Sequence, residues 1–222
     1  MFRQIVLTSL VAGVLASTAV PVSASDDDHE RVLGSVHVQP GEHVDDATTV
    51  NGSVDVGANA VVKHAKTVNG SITVHEHATV GSVETVNGST HIGEGARVSG
   101  NVELVNGKIT LDDGADVSGH LSSVNGSILL TAAHVGSGIE TKNSDLSVGA
   151  NSRIEGGIVY DASNESSFTI GTPKLPQVVI GPGAIVKGTL RFRREVQLYV
   201  SDRATIGPVE GATVNQFSGA RP

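Results

Sequence analysis

Cysteine is absent from the 222 residues, and aromatic side chains nearly so, with four Phe, two Tyr and no Trp. Without cysteine the chain has no disulfides and no thiolate metal ligands, so stability must come from packing and backbone pairing. Basic residues are outnumbered, 15 Lys and Arg against 23 Asp and Glu, for a formal charge of −8. A surface of that sign disfavours nucleic acid as a partner. Long apolar runs are also missing, save one from Ile5 to Val20 that is too short to span a bilayer comfortably. What the chain does have is β-branched aliphatics and glycine recurring at fixed intervals.

Met1 to Ala24 reads as a secretory signal peptide, with Arg3 as the basic start and Val22-Ser23-Ala24 as a small-residue cleavage site. An uncleaved membrane anchor is the rival reading. Cleavage near Ala24 removes Arg3 and no acid, leaving about 198 residues with a formal charge of −9. The expected location is the periplasm, or the extracellular space or cell surface, with no transmembrane helix in the mature chain. That length suffices for one domain.

Twelve consecutive sixth positions carry a β-branched aliphatic: Val32, Val38, Val44, Val50, Val56, Val62, Val68, Val74, Val80, Val86, Ile92 and Val98. No helix has that period. Gly34, Gly52, Gly70, Gly88, Gly107 and Gly126 follow at steps of 18, 18, 18, 19 and 19. A hexad recurring in threes specifies an all-β, single-stranded, three-sided β-solenoid of about 18 residues per turn. The period fits either screw sense, with the right-handed one favoured. The two longer steps imply single-residue insertions near Leu104 and Ser123, absorbed as bulges at a corner. A turn of that length at about 3.3 Å per residue has sides of roughly 20 Å, which leaves room mainly for Val, Ile, Leu and Ala. Scarce aromatics follow from that narrow core.

Asn51, Asn69, Asn87, Asn106, Asn125 and Asn143 run beside the glycines as a second ladder. Asn and Gly tolerate positive φ and reverse the chain at a corner, and stacked amides bond along the column. Asn-Gly also signals a hairpin turn, but a meander would need a second turn signal at the other end of each hairpin. The Asn-Gly-Ser sites at 51, 69, 87 and 125, with Asn164-Glu165-Ser166, fit the glycosylation acceptor pattern; corner geometry accounts for the first four without sugar.

These signals divide the chain into a signal peptide (1–24), a main solenoid (25–162), a loop or linker (163–177), C-terminal solenoid turns or cap (178–214) and a tail (215–222). The linker is Ser-rich and carries Pro173 and Pro176; Ile180, Val186, Phe192 and Leu198 resume the hexad, for about eight to nine turns in all.

No catalytic or cofactor-binding residue can be assigned: a Ser-His-Asp set, a phosphate loop and a calcium nonapeptide repeat are all missing from the sequence. His75-Glu76-His77 is the tightest histidine cluster and the weak metal candidate, since alternation on a strand would point both imidazoles to one face. Solvated histidines are the competing reading. Asp26, Asp27, Asp28, Glu30, Glu42, Asp45 and Asp46 make the mature N-terminus acidic, while Lys187, Arg191, Arg193 and Arg194 form a candidate interaction patch in the last turns. Such charges discourage runaway stacking of open ends, or they mediate head-to-tail contact or grip an anionic envelope polymer.

Thr49-Val50-Asn51-Gly52-Ser53-Val54, Thr67-Val68-Asn69-Gly70-Ser71-Ile72, Thr85-Val86-Asn87-Gly88-Ser89 and Thr141-Lys142-Asn143-Ser144-Asp145-Leu146 resemble the Thr-Val-Asn-Gly-Asp-Ile repeats of a bacterial adhesin-type β-solenoid family, over about half the chain. Ile92-Gly93-Glu94-Gly95-Ala96-Arg97-Val98 and Ile180-Gly181-Pro182-Gly183-Ala184-Ile185-Val186 are similar to bactofilins, which are polymer-forming β-helices. The same stretches resemble hexapeptide acyltransferases and γ-type carbonic anhydrases. Taken with the signal-peptide reading, which sets the chain apart from cytoplasmic bactofilins and acetyl-CoA-dependent enzymes, the adhesin-type resemblance leads to the expectation of an exported, non-enzymatic structural or adhesin-like protein whose partner is an envelope or cell-surface component, or a second copy of itself. The first alternative is a bactofilin-like self-assembling scaffold, and the second a hexapeptide-type enzyme.

Overall fold

The computed structural model describes residues 29–162 and 175–222. The signal-peptide reading at 1–24 and most of the linker reading therefore lie outside the described residues. Within them the chain is strand and turn throughout, and successive turns pair in parallel along three columns. The first column stacks Val36–Val38, Val54–Val56, Ile72–Val74, Thr90–Ile92 and then 109–111, 128–130, 146–148, 178–180, 198–200 and 214–216, ten rungs in all. The second runs from 43–44 through Arg97–Val98 and Arg153–Ile154 to Thr205–Ile206. The third begins at His29–Leu33 and ends at Val209–Glu210. This is the expected β-solenoid, slightly longer than the hexad count implied.

Val178–Ile180 pairs directly on 146–148, so the described residues on either side of 163–174 continue in the same column. Val214–Phe217 pairs on 198–201, three residues into the segment read as a tail.

Each face sends two side chains inward. In the turn from Val54 these are Val54 and Val56, Ala60 and Val62, then Ala65 and Thr67, none more than 1% exposed. Val56, Val74 and Ile92 are fully buried, as the period requires. The hexad fails on the third face. Val50, Val68 and Val86 point outward and are half-buried, while Val32 is 67% exposed. The step from Val44 to Ala47 and from Val62 to Ala65 across the corner is three positions rather than an even number, and one odd step swaps inside for outside in a period-2 strand. Thr49, Thr67 and Thr85 take the inward positions instead. The Thr49 and Thr67 hydroxyls donate to the Gly34 and Gly52 carbonyls at 2.8 Å, which satisfies polar groups that burial would otherwise penalise.

The inserted residue also lies elsewhere than expected. Val80 pairs with Val98 at a separation of 18, but Val83 pairs with Val102 at 19, so the corner at Ser99–Asn101 carries the extra residue. Later turns keep this longer corner, so Val102 pairs with Leu121 again at 19. No second insertion near Ser123 is needed. One corner is then shortened at 131–133, where Leu111 pairs with Leu130 at 19 and Asp116 with His134 at 18.

Two corner chemistries follow from the backbone. Between the first and second faces the chain turns through a left-handed residue: Gly41, Asn59, His77, Gly95, Gly114, Ala132, Asn151 and Gly183 have φ between 45° and 73°. At the Asn-Gly corner no asparagine has positive φ. The glycines there answer to close approach: a Cβ on Gly107 would lie 2.7 Å from the Gly88 carbonyl carbon and nearer still to its oxygen.

Candidate functional site

The asparagine corner is the most regular polar feature. Each amide reaches down one turn: Asn69 Nδ2 donates to Asn51 Oδ1 at 2.9 Å, Asn87 to Asn69 at 3.1 Å, Asn106 to Asn87 at 3.0 Å, Asn125 to Asn106 at 2.9 Å and Asn143 to Asn125 at 2.9 Å. All the bonds run one way, so the ladder has a donor end at Asn51 and an acceptor end at Asn143. Arg194, 51 residues further along the chain, closes the acceptor end by donating from Nη1 to Asn143 Oδ1, and to the Lys142 carbonyl at 3.0 Å. Ser53, Ser71 and Ser89 form a parallel column, their amides donating to the hydroxyls of Ser35, Ser53 and Ser71 at 3.1–3.2 Å. The outward valines 50, 68, 86, 105 and 124 flank the ladder as a half-buried stripe.

Beneath the Arg194 cap lies the aromatic end of the core. Tyr160 is buried, packs on Phe192 with ring centroids 5.4 Å apart, and donates its hydroxyl to the Ser144 carbonyl at 2.7 Å. Burial pushes the Tyr160 phenol well above its ordinary range. Glu140 is also raised, first by partial burial and then by the neighbouring Asp161 carboxylate, with which it shares a hydrogen bond.

Histidines pair with acids between turns. Asp55 lies between two of them, Oδ2 2.7 Å from His37 Nδ1 and Oδ1 2.8 Å from His75 Nε2. His91 meets Asp112 at 2.6 Å, His134 meets Asp116, and His120 lies 3.7 Å from Glu103. His75 and His77 are not on an alternating strand. They occupy a corner, His77 in the left-handed position at φ 58°, so His75 is drawn to Asp55 and the structure does not pair the two rings. Among the described residues no three His, Asp or Glu side chains converge as a metal site.

The basic patch is divided between the strand Leu190–Phe192, which carries Arg191, and the turns that carry Lys187, Arg193 and Arg194, and it is internally compensated. Lys187 Nζ contacts Glu155 at 2.6 Å, Arg191 contacts Glu210 at 2.7 Å, Arg193 contacts Asp161 at 2.8 Å, and Arg194 is committed to the ladder. Hydrogen bonds from Lys187 and Arg153 pull Glu155 down to about 2. A shallow groove of about 680 Å³ lies where 220–222 fold back against the outer side of the first face, over Leu129, Ser147 and Val179.

No family model, curated protein or solved structure matches the chain. Two features were missed in the sequence. The Arg194 cap had no local signal. The clips did: His37–Asp55, Asp116–His134, Lys63–Asp45 and Lys66–Glu84 are each one step of 18 apart, a spacing legible once opposite charges rather than like residues are compared.

Proposed function

We propose that this is an exported structural or adhesive rod of the bacterial envelope, acting through its surface rather than a catalytic pocket. The single observation behind this reading is that its outward chemistry is arranged in turn-to-turn columns along the axis, the ladder above all, with Lys187, Arg191 and Arg193 held in ion pairs. Such an arrangement stiffens a rod and presents a repeating face. Purified mature protein incubated with envelopes of the native host tests the reading. Co-sedimentation at low salt, together with the native protein in the periplasmic or surface fraction, supports it. Retention in the cytoplasm with no sedimentation refutes it.

A self-assembling scaffold is the second reading, and it draws on one specific observation. In the last turn Ala204, Ile206, Val209 and Ala212 are only half-buried and Val214 is 36% exposed, while Val32 and Leu33 are 67% and 75% exposed at the opposite end. Open apolar ends with unpaired strand edges are templates for another turn. Filaments in negative stain support this reading, and a strict monomer at high concentration excludes it.

A further inference from the structure

Five of the six ladder asparagines are followed by glycine, at 51–52, 69–70, 87–88, 106–107 and 125–126. Asn-Gly is chemically labile because glycine, lacking a Cβ, lets its amide nitrogen approach the preceding side chain. Having lost its proton to solvent base, that nitrogen attacks the asparagine Cγ. The new N–Cγ bond forms as the Cγ–Nδ2 bond breaks, ammonia leaves, and water opens the resulting succinimide to aspartate or isoaspartate.

Both partners must leave the ladder for this to happen. Gly52, Gly70 and Gly88 donate their amides to the carbonyls of Asn69, Asn87 and Asn106 at 2.9–3.0 Å. Asn69, Asn87, Asn106 and Asn125 are each gripped twice, donating from Nδ2 and accepting at Oδ1. Asn51 differs. Its rung partner below is Leu33, which offers no side-chain acceptor and is 75% exposed, so among the described residues the Asn51 side chain is held only through the bond it accepts from Asn69. Its Nδ2, the atom that departs, donates to no side chain of the rung below. The product also fits only there. A carboxylate at 51 still accepts from Asn69, whereas one at 87 would lose its bond to Asn69 Oδ1 and set two oxygens against each other.

We propose that Asn51 is a site of spontaneous deamidation in the folded protein, and that the ladder protects the other four Asn-Gly pairs. The test is incubation of the folded mature chain at 37 °C and mildly alkaline pH, with peptide mapping by mass and isoaspartate labelling at each of the five sites. Asn51 should convert at least ~10-fold faster than Asn87 or Asn106, and all five should converge when the chain is unfolded in urea. Leu33→Asn supplies the missing acceptor, so Asn51 should slow to the interior rate while position 33, itself followed by Gly34, becomes the labile rung. Leu33→Ala, which supplies no acceptor, should leave Asn51 fast and separates the contact from simple fraying of the end. Interior sites converting as fast as Asn51, or no difference between Leu33→Asn and Leu33→Ala, would overturn the proposal.

Discussion

Replacing Gly107 by alanine isolates what the glycine column contributes. An added Cβ would stand 2.7 Å from the Gly88 carbonyl carbon, where ordinary contact begins near 3.4 Å, with Gly88 O closer still. The two turns must separate locally, and that strains the Gly88 N to Asn106 O bond and the Asn106 to Asn87 amide bond, each 3.0 Å long. Overpacking of this kind costs about 1–3 kcal/mol and each weakened hydrogen bond about 1 kcal/mol. The φ of 147° adds backbone strain, roughly 1–3 kcal/mol for a side chain in a sparsely populated region. A total of about 4–8 kcal/mol is a large share of the ~5–15 kcal/mol by which domains are stable. Gly114→Ala is the matched control in the middle of the rod. Its φ is 68° and its nearest neighbour atom lies 3.7 Å away, so it carries strain without collision; only about 1–2 kcal/mol should be lost. Urea unfolding followed by far-ultraviolet circular dichroism, with hydrogen exchange to localise the opening, measures both. Equal losses from the two variants would refute close approach as the reason for glycine at this corner.

Arg194→Met uncaps the ladder and should lower stability by about 1–2 kcal/mol, with hydrogen exchange rising first around Asn143; unchanged exchange there would remove the cap from the account. Tyr160→Phe leaves the buried Ser144 carbonyl without its donor and should cost about 1–2 kcal/mol by the same denaturation assay. Glu155 has a folded value depressed from 4.5 to about 2, so its contribution is present above 4.5 and is lost as pH falls towards 2; thermal midpoints should decline across that window in the native chain and less in Glu155→Gln. Ile109→Ala, at a fully buried position, should cost about 2–5 kcal/mol, in contrast to a small effect from Val86→Ala on the outer stripe; a reversal would contradict the third-face assignment.

The contrast between Ile109 and Val86 marks how far the sequence could be read. On the first two faces the hexad and the pleat stay in phase, so Val56, Val62, Val74 and Ile92 were legible as core from spacing alone. On the third face the residue two before each corner glycine is equally aliphatic and equally periodic, yet it points outward. An odd corner step has the same spelling as an even one. Histidine clips escaped notice because like residues were compared, and the metal candidate at His75 and His77 failed as a pair because a corner, not a strand, holds them.

The chain's own period determined the solenoid, the turn length, the narrow aliphatic core and the stacking of asparagines, since a repeat of about 18 residues places equivalent positions one above another whatever the details. Tertiary structure alone decided which side of each strand faces in, where the extra residue is lodged, which way the ladder's bonds run and that Arg194 ends it. Those choices depend on corner geometry and on contacts between residues far apart in the chain, and neither is written in any local run of residues.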